Sequence, residues 1–167
     1  MKSNILTHIR NFAIIALAQT LIFSQIHLFG YATACVYLIF LLKLPRHSTR
    51  NELLLWGFFL GLTIDIFSNT PGINAAAATI MGFVRNPILS HFTPKSITDD
   101  FIPGKKVLKW GNYLVYAAIC IAIFYSVLFL IELFTIRQPM ILLTGIASST
   151  LLTLLFVIIT EFFSRTK

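Results

Sequence analysis

Charge is what this chain has least of. Asp, Glu, Lys and Arg together make up 11% of its 167 residues, and only six of them are acidic; a soluble domain carries about a quarter charged residues. With 57% hydrophobic residues and a mean hydropathy of +0.84, the sequence excludes a soluble globular domain and reads as an integral membrane protein. Its length leaves no room for a large domain outside the bilayer. Cysteine is nearly absent too: Cys35 and Cys120 stand far apart, each inside an apolar run. That spacing gives neither a disulfide framework nor a zinc site, and both read as small apolar residues. Catalytic signatures are missing: there is no His-Glu-x-x-His, no Gly-x-Ser-x-Gly and no Cys/His ligand cluster. An intramembrane aspartyl protease would need two aspartates within spans, and Asp65 stands alone. The sequence therefore points to no enzyme, no metal and no cofactor. The net charge of +7 is not a nucleic-acid footprint, because the basic residues are scattered between apolar runs, as in loops facing the cytoplasm.

What is abundant is long apolar runs. A hydrocarbon core of about 30 Å needs about 20 apolar residues per helix. The runs predict six transmembrane helices, at residues 11–28, 29–44, 53–68, 73–92, 112–135 and 140–163, in one polytopic all-α domain with a polar loop at 93–111. The first is mildly polar; Gln19 can bond a neighbouring helix, while Gln25 and His27 are placed at the outer interface. The second is short, ends at Lys43 and Pro45, and must let Lys43 snorkel. Lys2 to Arg10 before an apolar run resembles a signal peptide, with Ala32-Thr33-Ala34-Cys35 as a faint cleavage site. Cleavage there would leave Cys35 inside the next apolar segment, so the first helix is expected to be retained. Phe101, Ile102 and Trp110 in the long loop suit the headgroup region, with a partner-binding loop as the alternative. Glu132 falls near the outer end of the fifth helix, and Glu161 near the cations Arg165 and Lys167. Six spans with both termini in the cytoplasm put all 13 Lys and Arg on that side except Arg137.

The chain is organised around its third and fourth spans. Gly57, Gly61 and Asp65 recur at i, i+4 and i+8, on one stripe of the third helix. Small residues on such a stripe admit a second helix closely, and a carboxylate inside an apolar span avoids lipid. Two readings of Asp65 stand together: part of a contact face, or a shallow cap on the turn to Thr70. Pro71-Gly72 closes that turn, and the next helix opens with Asn74 and small residues through Ala78, continued by Gly82. The two helices are expected to form a tight antiparallel hairpin. Arg85 could pair with Asp65, but an axial offset of about 10 Å favours snorkelling to the cytoplasmic interface.

The whole pattern resembles the bacterial rod shape-determining MreD family. The likeness lies in size, helix count, the charged loop before the third helix, the long inner loop, and above all in Gly57-xxx-Gly61-xxx-Asp65 followed by Pro71-Gly72-Ile73-Asn74-Ala75. It implies a non-enzymatic scaffold of the cell-elongation machinery in the bacterial inner membrane, regulating cell shape and peptidoglycan synthesis. The implied partners are the bitopic protein MreC, the actin-like MreB, the glycan polymerase RodA and a penicillin-binding transpeptidase. The implied fold is similar to the six-helix substrate-binding subunits of energy-coupling-factor vitamin transporters. On the residues themselves, the stripe of Gly57, Gly61 and Asp65 or its flank is expected to dock the single helix of an MreC-like partner, with Gly72, Asn74 and Ala78 on the packing side. The alternative is a transporter subunit that captures a vitamin.

Overall fold

A computed structural model describes residues 19, 27–28, 32–33, 35–94, 101–133 and 139–163. The described chain is helical apart from one short antiparallel strand pair. The pair joins β1 (His27–Leu28) to β2 (Ala32–Thr33), in the register His27 to Thr33 and Leu28 to Ala32. The helices are α1 (Leu38–Leu42), α2 (Arg50–Ser68), α3 (Ile73–Phe92), α4 (Lys105–Leu108), α5 (Trp110–Leu133) and α6 (Pro139–Phe163). Among the described residues, three stretches are long and apolar enough to cross a membrane: Arg50–Ser68, Trp110–Glu132 and Leu143–Phe163. The 20 residues of α3 match them in length, but Asn74, Arg85, Asn86 and His91 make it more polar. Most of the first expected span lies outside the described residues.

The start of α2 is set by a capping box. The Glu52 N–H donates to Thr49 Oγ1 at 3.3 Å, and the Thr49 N–H donates to Glu52 Oε2 at 2.9 Å. This moves the helix start three residues before the expected 53. At its other end Asn69 adopts the left-handed conformation (φ 54°), and Gly72 does the same (φ 81°) as the N-cap of α3. Two such residues around Pro71 reverse the chain within four positions, so α2 and α3 become antiparallel neighbours with the most extensive interface in the molecule. The ends of α3 fall at 73 and 92 as expected. The helix α5 begins at Trp110 rather than 112, so the polar loop is shorter than 93–111 and contains the single turn α4.

The second expected span is corrected. Among the described residues of 29–44, helix covers only Leu38–Leu42, and the pairing at 27–28 and 32–33 comes before it. The backbone donors of the non-helical part are met by side chains from distant positions. The Cys35 N–H donates to Tyr125 Oη at 3.0 Å and to Thr153 Oγ1 at 3.4 Å, and the Val36 N–H donates to Gln19 Oε1 at 2.8 Å. Irregular backbone at membrane depth is tolerated where protein encloses it, and this segment is enclosed. Tyr37, Leu38, Leu41 and Leu42 are completely buried, against Tyr116, Ala117, Ile121 and Phe124 of α5 and Ala77, Ala78 and Met81 of α3, which share one apolar core with them. Lys43 does not snorkel free: its Nζ lies 2.8 Å from Glu161 Oε2, and Glu161 is itself buried.

The hydrogen bonds also sort the molecule into two ends. The Arg46 N–H donates to the Phe101 carbonyl at 3.0 Å, and Asn86 Nδ2 donates to the Ser48 carbonyl at 3.2 Å. Trp110 meets Phe162 edge to face at 5.4 Å. These contacts, with Lys43–Glu161, gather the loops 43–50 and 101–109 and the end of α6 at one pole. Every Lys and Arg among the described residues lies at or near that pole. The α2–α3 turn at the other carries none.

Candidate functional site

The site is built where α2 ends and α3 begins. Asp65 is 2% exposed. Its Oδ1 accepts from the Thr70 hydroxyl, from the Asn74 N–H at 3.1 Å and from Asn74 Nδ2 at 3.0 Å; its Oδ2 accepts from the Ala75 N–H at 2.8 Å. Asn74 and Ala75 are the second and third residues of α3, whose N–H groups have no acceptor within their own helix. Gly72 has no side chain to cap them, so the neighbouring helix supplies the cap. The carboxylate also sits at the positive end of the α3 dipole. Asn74 Oδ1 in turn accepts from Tyr37 Oη at 3.0 Å, which carries the network to the flank of α1.

The glycines bring the two backbones together. A Cβ on Gly57 would lie 2.6 Å from the Ala78 carbonyl oxygen. One on Gly61 would lie 2.5 Å from both Ala75 Cα and the Asn74 carbonyl oxygen, and one on Gly82 would lie 2.8 Å from the Leu53 carbonyl oxygen. Small residues therefore alternate across the seam, two from α2 and one from α3. The structure brings Gly57, Gly61, Asp65, Asn74 and Ala78 into this one seam, with Gly72 at its closing turn. The stripe is filled by α3, as the expected hairpin requires, so of the stripe and its flank only the flank is left for a partner helix, and the cap reading of Asp65 is the one the geometry gives.

Arg85 is also corrected. It neither pairs with Asp65 nor snorkels. Ten residues of α3 separate it from Ala75, about 15 Å of axial rise, and its side chain is completely buried. One terminal nitrogen donates to the carbonyls of Leu42 (3.2 Å) and Leu44, and the other donates to Asn86 Oδ1 at 2.9 Å. Those carbonyls belong to the last residue of α1 and the turn after it, where a helix leaves acceptors unmet and favours a cation. No carboxylate pairs with Arg85 among the described residues. Arg85→Met is expected to lower stability by about 2 kcal/mol, because it strands the buried Leu44 carbonyl and the Asn86 side-chain oxygen and leaves the Leu42 carbonyl only the long contact from the Tyr116 hydroxyl. Arg85→Lys should recover part of that loss, since an ammonium keeps the charge without the fork. Unfolding midpoints in detergent check both.

The two ionisable residues thus do the same job at opposite ends of the hairpin, Asp65 on a helix N-terminus and Arg85 on a helix C-terminus. Both oxygens of the Asp65 carboxyl are engaged by donors of the hairpin. A shallow depression of about 280 Å³ opens beside it, lined by Leu62, Ile66, Asn69, Thr70, Pro71 and Gly72 as well as Asp65. Sequence reasoning missed Tyr37, Asn86, Tyr125 and Thr153. The usable signal was general: a tyrosine in an apolar run needs a partner for its hydroxyl, and Tyr125 finds Thr153 at 2.7 Å. Comparison of the chain with protein-family models, with curated proteins and with solved structures finds no match.

Proposed function

We propose that this chain is a non-catalytic scaffold subunit of the MreD type. It would lie in the bacterial inner membrane with six spans, cytoplasmic termini and a fold like that of the energy-coupling-factor substrate-binding subunits. The observation that carries the reading is the hairpin of α2 and α3. The stretch that resembles the family, Gly57-xxx-Gly61-xxx-Asp65 with Pro71-Gly72-Ile73-Asn74-Ala75, is the stretch whose side chains lock two helices together. A locked hairpin with its charges spent on helix caps suits a rigid platform. An MreC-like single helix would then dock on the flank of the stripe, on the outward face of α2, where Phe59, Ile66 and Phe67 are exposed. MreB, RodA and a penicillin-binding transpeptidase would join through that assembly to control cell shape and peptidoglycan synthesis.

The test is affinity purification of the tagged chain from gently solubilised native membranes, with co-purifying proteins identified by mass spectrometry. An MreC-like protein together with cell-wall synthases is the expected result. Recovery of an ATPase pair with a membrane coupling subunit would overturn it. The depression beside Asp65 favours that second reading, a vitamin-capturing transporter subunit, although its volume falls just below the roughly 300–1,000 Å³ of small-molecule sites. Mass spectrometry of the purified chain separates the two readings, since a scaffold should carry no stoichiometric vitamin.

A further inference from the structure

We infer that Arg50 and Phe83 mark the headgroup end of a binding site for one anionic phospholipid, whose acyl chain lies along the outer seam of α2 and α3. The inference rests on the membrane-spanning character of the chain and is independent of the scaffold reading. The Arg50 guanidinium carbon stands 4.4 Å from the centroid of the Phe83 ring. Both residues are exposed, Phe83 at 45%, so the cation is held over an aromatic face that looks out of the protein. Arg50 opens α2, where the helix dipole disfavours a positive charge, and it has no carboxylate partner among the described residues. The carboxylate in that turn, Glu52, accepts from the Thr49 N–H in the capping box. A planar, permanently charged fork without an anion, at the basic pole of a membrane protein, matches the phosphate of a lipid headgroup.

The apolar half of the site follows from helical spacing. Leu54 and Phe58 succeed Arg50 at i+4 and i+8 on α2, and Phe58 is 44% exposed. Thr79 and Ala76 precede Phe83 at four and seven positions on α3, on the flank nearest α2. The Thr79 hydroxyl donates to the Ala75 carbonyl of its own helix at 2.7 Å, so it is not free to demand a partner from a lipid. In the proposed site, exposed Phe58 and Phe83 beside half-buried Ala76 and Thr79 would leave a furrow along the seam. An acyl chain fits such a furrow, and the phosphate then stands beside Arg50. The loop cations Arg46 and Lys43 add to the field at that depth, although Lys43 is partly neutralised by Glu161.

The test uses the purified full chain in neutral detergent with equal amounts of phosphatidylglycerol and phosphatidylcholine of identical acyl chains, and quantifies the lipid retained after gel filtration. Phosphatidylglycerol should be enriched about fivefold, the factor expected of one basic residue acting on an anionic lipid. Arg50→Gln should bring the ratio close to parity, Arg50→Lys should keep most of it, and Ala76→Trp should reduce the phosphatidylglycerol retained by filling the furrow. On the unmodified chain the enrichment should fall as ionic strength rises, which keeps the test open if a variant fails to fold. Equal retention of the two lipids, enrichment indifferent to salt, or full retention by Arg50→Gln would overturn the proposal. So would displacement of the lipid by inorganic phosphate at an ionic strength where chloride leaves it bound, which would make this a free-anion site.

Discussion

Gly61→Leu is expected to abolish recovery of folded protein, and Gly61→Ala to cost about 3 kcal/mol, the upper part of the range for overpacking a filled interior. The reason is what the new atoms would meet. A single Cβ at Gly61 would stand 2.5 Å from Ala75 Cα and from the Asn74 carbonyl oxygen, and 2.6 Å from the Ala75 nitrogen. All three are backbone atoms, so no side chain can swing aside; the helices must separate. Separation would also draw Asp65 away from the same two residues it caps, so one methyl group disturbs both the contact and the hydrogen bonds. Gly57→Ala should behave similarly, because its Cβ would meet the Ala78 carbonyl at 2.6 Å. Gly111→Ala is the control. It lies in the first turn of α5 with nothing within 4 Å of its added methyl, and should be neutral or slightly stabilising. The measurement is the folded fraction by gel filtration together with the unfolding midpoint in detergent. Wild-type behaviour of Gly61→Ala would show that the seam is looser than its geometry.

The second large effect is at Asp65. Asp65→Ala removes the acceptor for two backbone N–H groups, a side-chain amide and a hydroxyl in a site 2% exposed. Leaving buried donors unmet costs about 1–3 kcal/mol each, and Thr70 and the Asn74 side chain can turn to other acceptors, so a loss of about 3–5 kcal/mol is expected from the two N–H groups. Asp65→Asn should fall between Ala and wild type. Its oxygen can take the place of Oδ1 and keep the Asn74 and Thr70 contacts, but its amide group must then face the Ala75 N–H, donor against donor. The ordering Asp, Asn, Ala in unfolding midpoint is the result to look for. Equal midpoints for Asn and Ala would mean that the cap depends on the charge rather than on the count of acceptors.

Much of the hairpin was legible because its signals are local. The spacing of Gly57, Gly61 and Asp65 puts them on one face, Pro71-Gly72 turns the chain, and a run of small residues from Asn74 to Ala78 can only serve close packing. The ends of α2, α3 and α6 followed within three residues for the same reason, and the shift at Arg50 comes from a capping box that hydropathy does not register. The segment after Gly30 was not legible. Hydropathy counts side chains, whereas what breaks this helix is the supply of acceptors to its backbone from Gln19, Tyr125 and Thr153. Arg85 failed for a related reason: snorkelling assumes a helix with lipid beside it, and nothing local reveals that α1 ends against this side chain. The partner face is the remaining difference. The short turn already assigns the following helix to the stripe, which leaves a partner helix only the flank.

The enclosure of α1 also sets an order of events. Five helical residues are far too few to hold a segment in a bilayer by hydrophobicity, and of the groups that satisfy the backbone before them only Gln19 precedes it; Tyr125 and Thr153 are synthesised much later. Cys35 waits for Tyr125, 90 residues on, and for Thr153, 118 residues on. The centre of the molecule is therefore the last part to be finished, closed over by helices that emerge from the ribosome after it. Until α6 has been made, the backbone at Cys35 lacks the acceptor that Thr153 supplies, so the pairing of the core waits on synthesis far downstream of it.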